Sequence, residues 1–248
     1  MFKRVWIGLV ASLAAVTFAI AQVPTQVVIA AEDDWYPYGG KINGVAAGLG
    51  VDLVKASFAA VGITVRFESV PYTRCLDMVK SGKVLACNEP ARTQETESSV
   101  LWPTKPLFSA RSVIYARQPS KETGLSSASL EGKRVMVTNG FEYGSEFDTN
   151  KKVIREVATK EISVFRMLAA KRGDYALAYE KVANHIFRQN AREFEGKFVA
   201  VGMVSEIRVY CGFSKTFPDS QRYLDLFNQG FAIIQKNGQY QESERRWQ

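Results

Sequence analysis

Short apolar strands alternate with amphipathic helices twice along this chain, and a ten-residue extended run separates the two series. That layout narrows the fold more than any other feature. The first series reads as a strand over 26–31, a helix over 49–60 with Leu49, Leu53, Val54 and Phe58 on one face, a strand over 63–67, a helix over 71–80 and a short buried strand over 84–86. A β-α-β-α-β order favours a mostly parallel sheet covered by helices. After the extended run at 108–117 the pattern restarts with a strand over 132–138 and a strand or early helix turn over 153–158. A helix over 163–171, a strand over 175–179, a helix over 182–188 and a strand over 198–201 follow. A second extended run, 206–214, mirrors the first, and two such runs passing between lobes make a double hinge. The chain then predicts a helix from Ser220 that stops at Asn237-Gly238, and a last helix over 240–247.

Residues 1–21 stand apart. Lys3 and Arg4 precede an uncharged apolar stretch that ends Ala19-Ile20-Ala21, a secretory signal pattern with a small-x-small cleavage site. The apolar stretch is about 16 residues, short of the roughly 20 that span a bilayer. Removing 21 residues from 248 leaves a mature chain of 227, and losing Lys3 and Arg4 takes the formal charge from +7 to +5. The remaining Lys and Arg are interspersed with Asp and Glu, so no nucleic-acid partner is expected. Three cysteines in an exported chain imply one pair and one left over. If the 71–80 helix packs antiparallel on its own strand, Cys75 lies near Cys87; the alternatives pair Cys211 with either of them. The single histidine, His185, sits within a helix without a matching acid or cysteine cluster, and no metal or phosphate motif occurs, so neither a metal nor another cofactor is expected.

Candidate ligand residues gather where strands end, which is where open α/β sheets bind their ligands. The first strand runs into Glu32-Asp33-Asp34-Trp35-Tyr36-Pro37-Tyr38, and carboxylates beside aromatic faces suit a ligand that carries an amine. Pro71-Tyr72-Thr73-Arg74 opens the second helix, and Arg92-Thr93 lies past the third strand. Arginine offers a carboxylate two parallel hydrogen bonds, so Arg92 is the first candidate for that role and Arg74 its rival. In the second series Phe141 and Tyr143 lie in a polar-aromatic turn, and Glu180 ends a buried strand.

As a whole the pattern resembles the extracytoplasmic solute-binding proteins of the polar amino acid type, family 3, which feed ABC transporters. The resemblance rests on Trp35-Tyr36-Pro37-Tyr38, Gly50-Val51-Asp52-Leu53, Leu101 to Pro106, Leu130 to Val135 and Gly173-Asp174-Tyr175-Ala176. It implies an α/β, two-lobed periplasmic-binding-protein fold of type II, with lobe one at 22–112 and 211–248 and lobe two at 113–210. It also implies a monomeric periplasmic receptor, not an enzyme, that captures an amino acid or related small carboxylate and presents it to an inner-membrane permease. Carried over by position, Trp35 is the stacking aromatic and Tyr72 a second wall. The family's arginine falls on Thr96, with Arg92 the nearest candidate, and its lobe-two acid falls on Tyr179, one place before Glu180. Two alternatives share the scaffold: an enzyme resembling cyclohexadienyl dehydratases, with Glu142 or Glu180 as its acid, and a ligand-sensing component.

Overall fold

The computed structural model describes residues 25–248; the expected signal peptide lies outside them. In chain order the elements begin with β1 (Gln26–Glu32), the hairpin strands β2 (Asp34–Trp35), β3 (Gly39–Ile42) and β4 (Val45–Ala47), α1 (Leu49–Ala59), β5 (Thr64–Val70) and α2 (Tyr72–Lys80). Next come β6 (Ala86–Ala91), the single turn α3 (Gln94–Glu97), β7 (Val100–Leu101), β8 (Phe108–Arg117), β9 (Arg134–Thr138), the single turn α4 (Ser145–Asp148) and β10 (Ile154–Ala158). The chain closes with α5 (Glu161–Ala169), β11 (Tyr175–Tyr179), α6 (Glu180–Gln189), α7 (Ala191–Phe194), β12 (Phe198–Ser214), α8 (Ser220–Lys236) and α9 (Gln239–Arg246).

These strands form one sheet in the order β10-β9-β11-β8-β12-β6-β1-β5, with β7 added to β12. Its two ends are parallel: β1 runs beside β5 and β6, and β9 beside β10 and β11. Between them β8 and β12 pair antiparallel with each other, and β12 continues to β6 while β8 continues to β11. This is the two-lobed α/β architecture that the sequence predicts, with each lobe built on one parallel end. The expected lobe boundaries near 112 and 210 fall inside β8 and β12, the two strands common to both lobes.

The core follows apolar periodicity. Leu49, Leu53, Val54 and Phe58 of α1 are buried against α8, whose Phe227, Phe231 and Ile234 face them, and Gly230 lets the two helices meet because a Cβ there would strike the Ser57 carbonyl. At the other end Phe165, Phe187, Phe194 and Phe198 cluster around Tyr115.

Three expectations are corrected. The third strand begins at Ala86 and continues to Ala91, buried throughout, so Asn88-Glu89-Pro90 lie within it. The runs at 198–201 and 206–214 are one strand of 17 residues, because irregular pairing with β8 between Ala200 and Gly202 and between Met203 and Ser205 carries it across the intervening glycine and polar residues. Helix α6 starts at Glu180, two residues before the expected 182. The disulfide joins Cys75 of α2 to Cys87 of β6, with Cα atoms 5.4 Å apart. Cys211, on β12, is buried and free.

Candidate functional site

The carboxyl ends of four strands meet between the lobes: Glu32 closes β1, Ala91 closes β6, Thr138 closes β9 and Tyr179 closes β11. Two spaces open there. The outer one is a cavity of about 1130 Å³ between α2 and the α3 turn on one side and the 140–149 segment and β12 on the other. Its charged lining is balanced, with Asp77, Glu142, Asp148 and Glu206 against Lys80, Arg92, Arg155 and Arg208. The inner one is a recess beneath it, and Ala91, Phe141, Glu142 and Ile207 line both.

Aromatic rings wall the recess. Trp35 meets Tyr179 edge-on at 4.9 Å between centroids, and Tyr72 meets Phe141 edge-on at 5.6 Å. Each pair joins one lobe to the other. They leave about 10 Å³ free, the space of roughly one water, so a solute enters only when the lobes part. The Tyr72 hydroxyl donates across the gap to both oxygens of Glu142, at 3.0 and 2.8 Å, and the Tyr179 hydroxyl donates to the Glu142 backbone carbonyl. Burial and the adjacent Glu142 carboxylate push the Tyr72 phenol well above its ordinary value, so it stays a donor.

Glu89 is the residue that gives the recess its chemistry. Where β6 pairs with β12, three residue steps from Asn88 to Ala91 face two from Val209 to Cys211, a bulge that leaves Glu89 at φ 76° and places Pro90 where no ladder donor is needed. The bulge turns the Glu89 side chain inward against Gly39 and Gly50, where any Cβ would overlap its carboxylate. Glu89 is 3 % exposed, and neither carboxyl oxygen has a hydrogen-bond partner. Burial raises its pKa to about 8, lowered a little by the nearby Gly50 amide, whose own hydrogen bond goes to the Tyr38 carbonyl at 2.9 Å. Glu32, 5 % exposed, is also pushed well above the carboxylate range, first by burial and then by Glu89, Glu161, Asp34 and Asp33. The indole Nε1 of Trp35 is buried without a partner as well. Unpaired buried polar groups cost roughly 1–3 kcal/mol each, and two residues of the recess, Glu89 and Trp35, carry them.

Glu32, Trp35, Tyr72 and Phe141 of the expected ligand residues therefore converge on the recess. Arg92, Thr93 and Thr96 line the outer cavity instead. Arg92 is exposed and held by both oxygens of Glu97 at 2.6 Å, with its guanidinium 5.9 Å from the Trp102 ring. Thr93 and Thr96 form a capping box on α3, and the Thr96 hydroxyl also donates to the Ala91 carbonyl at 3.0 Å. Arg74 is exposed on α2 and lines neither space. Tyr143 is buried behind the recess, stacked on Tyr179 at 5.8 Å, with its hydroxyl accepting from the Thr138 amide at 2.9 Å. Glu180 pairs with Arg111 at 3.2 Å and lines neither space; it is the first residue of α6, one place past Tyr179, which ends β11 and walls the recess. Sequence reasoning missed Glu89, Tyr179 as a wall, and Arg155 and Arg208 in the outer cavity. The Asn88-Glu89-Pro90 triplet inside a strand was the available signal for Glu89.

From residue 27 to residue 248 the sequence matches the model of the bacterial extracellular solute-binding proteins, family 3. This chain belongs to that family. No curated protein matches it. Solved structures similar to this family 3 protein include a histidine kinase sensor domain with similarity to periplasmic binding proteins, 24 % identical, covering 90 % of this chain and 95 % of that one with a TM-score of 0.78. An ancestral arginine-binding protein bound to arginine is 22 % identical over 91 % and 99 % of the two chains, with a TM-score of 0.78. The arginine-, lysine-, histidine-binding protein ArtJ from Geobacillus stearothermophilus is 19 % identical over 90 % and 94 %, with a TM-score of 0.74. At these identities the likenesses establish the fold of the family 3 protein. Among its described residues no helix is long and apolar enough to cross a membrane.

Proposed function

We propose that this protein captures a small polar, amine-bearing solute, an amino acid or a related compound, between its two lobes and presents it to the permease of an ABC transporter. One observation carries the reading: a recess at the carboxyl ends of the strands, walled by rings from both lobes, encloses Glu89 with both carboxyl oxygens unpartnered. Carboxylates held in an aromatic box bind a cationic group by charge and by the ring faces. Because the walls come from opposite lobes, the same contacts that hold the solute also hold the lobes together, with β8 and β12 as the hinge. The protein acts as an exported monomer, with residues 1–21 as its export signal. Its similarity to arginine-binding proteins supports a nitrogenous ligand, as do the acids of the recess.

Native mass spectrometry of the protein purified without denaturation tests the reading. A small mass increment that denaturation removes is expected, and the released solute should raise the melting temperature when added back. A bare mass, together with no thermal shift across amino acids and amines, would overturn it. Similarity to a histidine kinase sensor domain favours one second reading, in which the liganded lobes signal to a membrane sensor. Deleting the gene separates the two: loss of solute uptake supports transport, and loss of a solute-dependent transcriptional response with uptake intact supports sensing.

A further inference from the structure

Charge balance inside the recess restricts the solute further. Among the described residues three carboxyl groups line it, those of Glu32, Glu89 and Glu142, and no lysine or arginine does. Glu142 is engaged by Tyr72, whereas Glu89 has no partner for either oxygen at 3 % exposure. A zwitterion placed there would bring a carboxylate of its own among acids that burial already disfavours as anions, in a space lined by low-dielectric rings where repulsion is poorly screened. The cations that would have to answer it are committed or distant. Arg92 is held bidentately by Glu97, Arg111 by Glu180, and Arg155 by the Phe147 and Asn150 carbonyls. Arg208 lines the outer cavity but not the recess.

We propose that the recess selects an organic cation without a carboxylate, a diamine or a guanidino-amine. The inference rests on the reading above that a solute is captured between the lobes. One cationic end lies between Glu32 and Glu89, the methylene chain runs along Trp35 and Tyr72, and the second cationic end reaches Glu142, which lines both the recess and the outer cavity. Two positive charges then meet two buried acids and a third at the mouth, and the aromatic faces supply cation–π attraction to whichever end is desolvated.

Matched pairs differing only in the carboxylate decide the matter: putrescine against ornithine, cadaverine against lysine, and agmatine against arginine, titrated calorimetrically into the intact purified protein at pH 8.5. At least one amine should bind tenfold or more tightly than its parent amino acid, and Glu89→Gln should weaken that amine at least tenfold. Glu32→Gln provides a second variant should Glu89→Gln fail to fold, and it should weaken the same amine. Parent amino acids that bind as tightly as their amines would overturn the proposal and leave solute capture standing; Arg208→Ala would then test where their carboxylate goes. An amine bound with unchanged affinity by both folded variants would also overturn it, since the recess would not be the site. Binding by no member of any pair would overturn it as well, and the native-mass experiment then decides separately whether a solute is captured at all.

Discussion

Glu89 combines two costs at one position. A non-glycine residue at φ 76° and a carboxylate 3 % exposed are each unfavourable, the first by about 1 kcal/mol and the second by more. The groups facing it are Glu32 on β1, Tyr38, the Gly50 amide at the start of α1, and Cys211 on β12, with Glu142 across the recess, so nearby ionisable side chains are acidic or neutral. Its folded-state pKa of about 8 lies above the ordinary 4.5, so the folded chain holds the proton more tightly than the unfolded chain. The stabilisation is fully present below about 4.5 and is lost as pH rises through about 8. Buried Glu161, also raised to about 8, acts with the same sign. Ligand-free protein should therefore melt at a lower temperature at pH 9 than at pH 6, and Glu89→Gln should flatten that slope by roughly 2–3 kcal/mol in stability difference; a slope unchanged in the variant would show that Glu89 is not the titrating group. Trp35, Tyr72 and Glu32 were legible because residue type and position after a strand or at a helix start mark them. Glu89 was not, since an acid beside a proline reads as the end of a strand and only the pairing of β6 with β12 reveals a bulge.

At the scale of elements, the recess depends on how closely β3 and α1 approach β6. Gly39 and Gly50 give the Glu89 carboxylate its room, so Gly50→Ala should cost about 1–3 kcal/mol of overpacking strain in urea unfolding. Combined with Glu89→Ala, the same substitution should cost much less, because the atoms that it strikes are gone; additive costs would contradict the contact. The Cys75–Cys87 bridge fastens α2, which carries Tyr72, to the strand that carries Glu89. With 12 residues of sequence separation, the loop-entropy argument gives about 3 kcal/mol, and the Cys75→Ser, Cys87→Ser double variant should show that loss as a lower urea midpoint. The pairing was legible because a helix packed back on its own strand brings the two residues together. The length of β12 was not, since Gly202 and the polar residues after Met203 break the alternation from which a strand is read.

At the scale of the whole molecule, polar and ring contacts hold the two lobes against each other. The Tyr72–Glu142 pair and the Lys160–Asp34 ion pair at 3.4 Å reach across, together with the ring contacts of Trp35 with Tyr179 and Tyr36 with His185. Removing the hydroxyl with Tyr72→Phe should favour the open form by roughly 1.5–3 kcal/mol, the range for a hydrogen bond to a charged group. X-ray scattering of the ligand-free variant should give a larger radius of gyration than wild type, and the added solute should bring it back; identical curves for the two proteins would rule the pair out as a latch. The repeated β-α layout was readable from periodicity, which is local. The joining of the two repeats into one sheet through β8 and β12 was only sketched by two extended runs, because pairing between strands about a hundred residues apart leaves no periodic trace.

Cys211 lies on the shared strand, opposite Asn88 and next to the bulge that aims Glu89, and burial pushes its thiol well above the ordinary range. A thiol reagent reaches such a sulfur only when that stretch of the hinge comes apart, so the rate of modification counts openings one by one. The chain thus carries its own clock for separation of β6 from β12, the pairing on which the aim of Glu89 depends, and its ticking should slow when that pairing is braced.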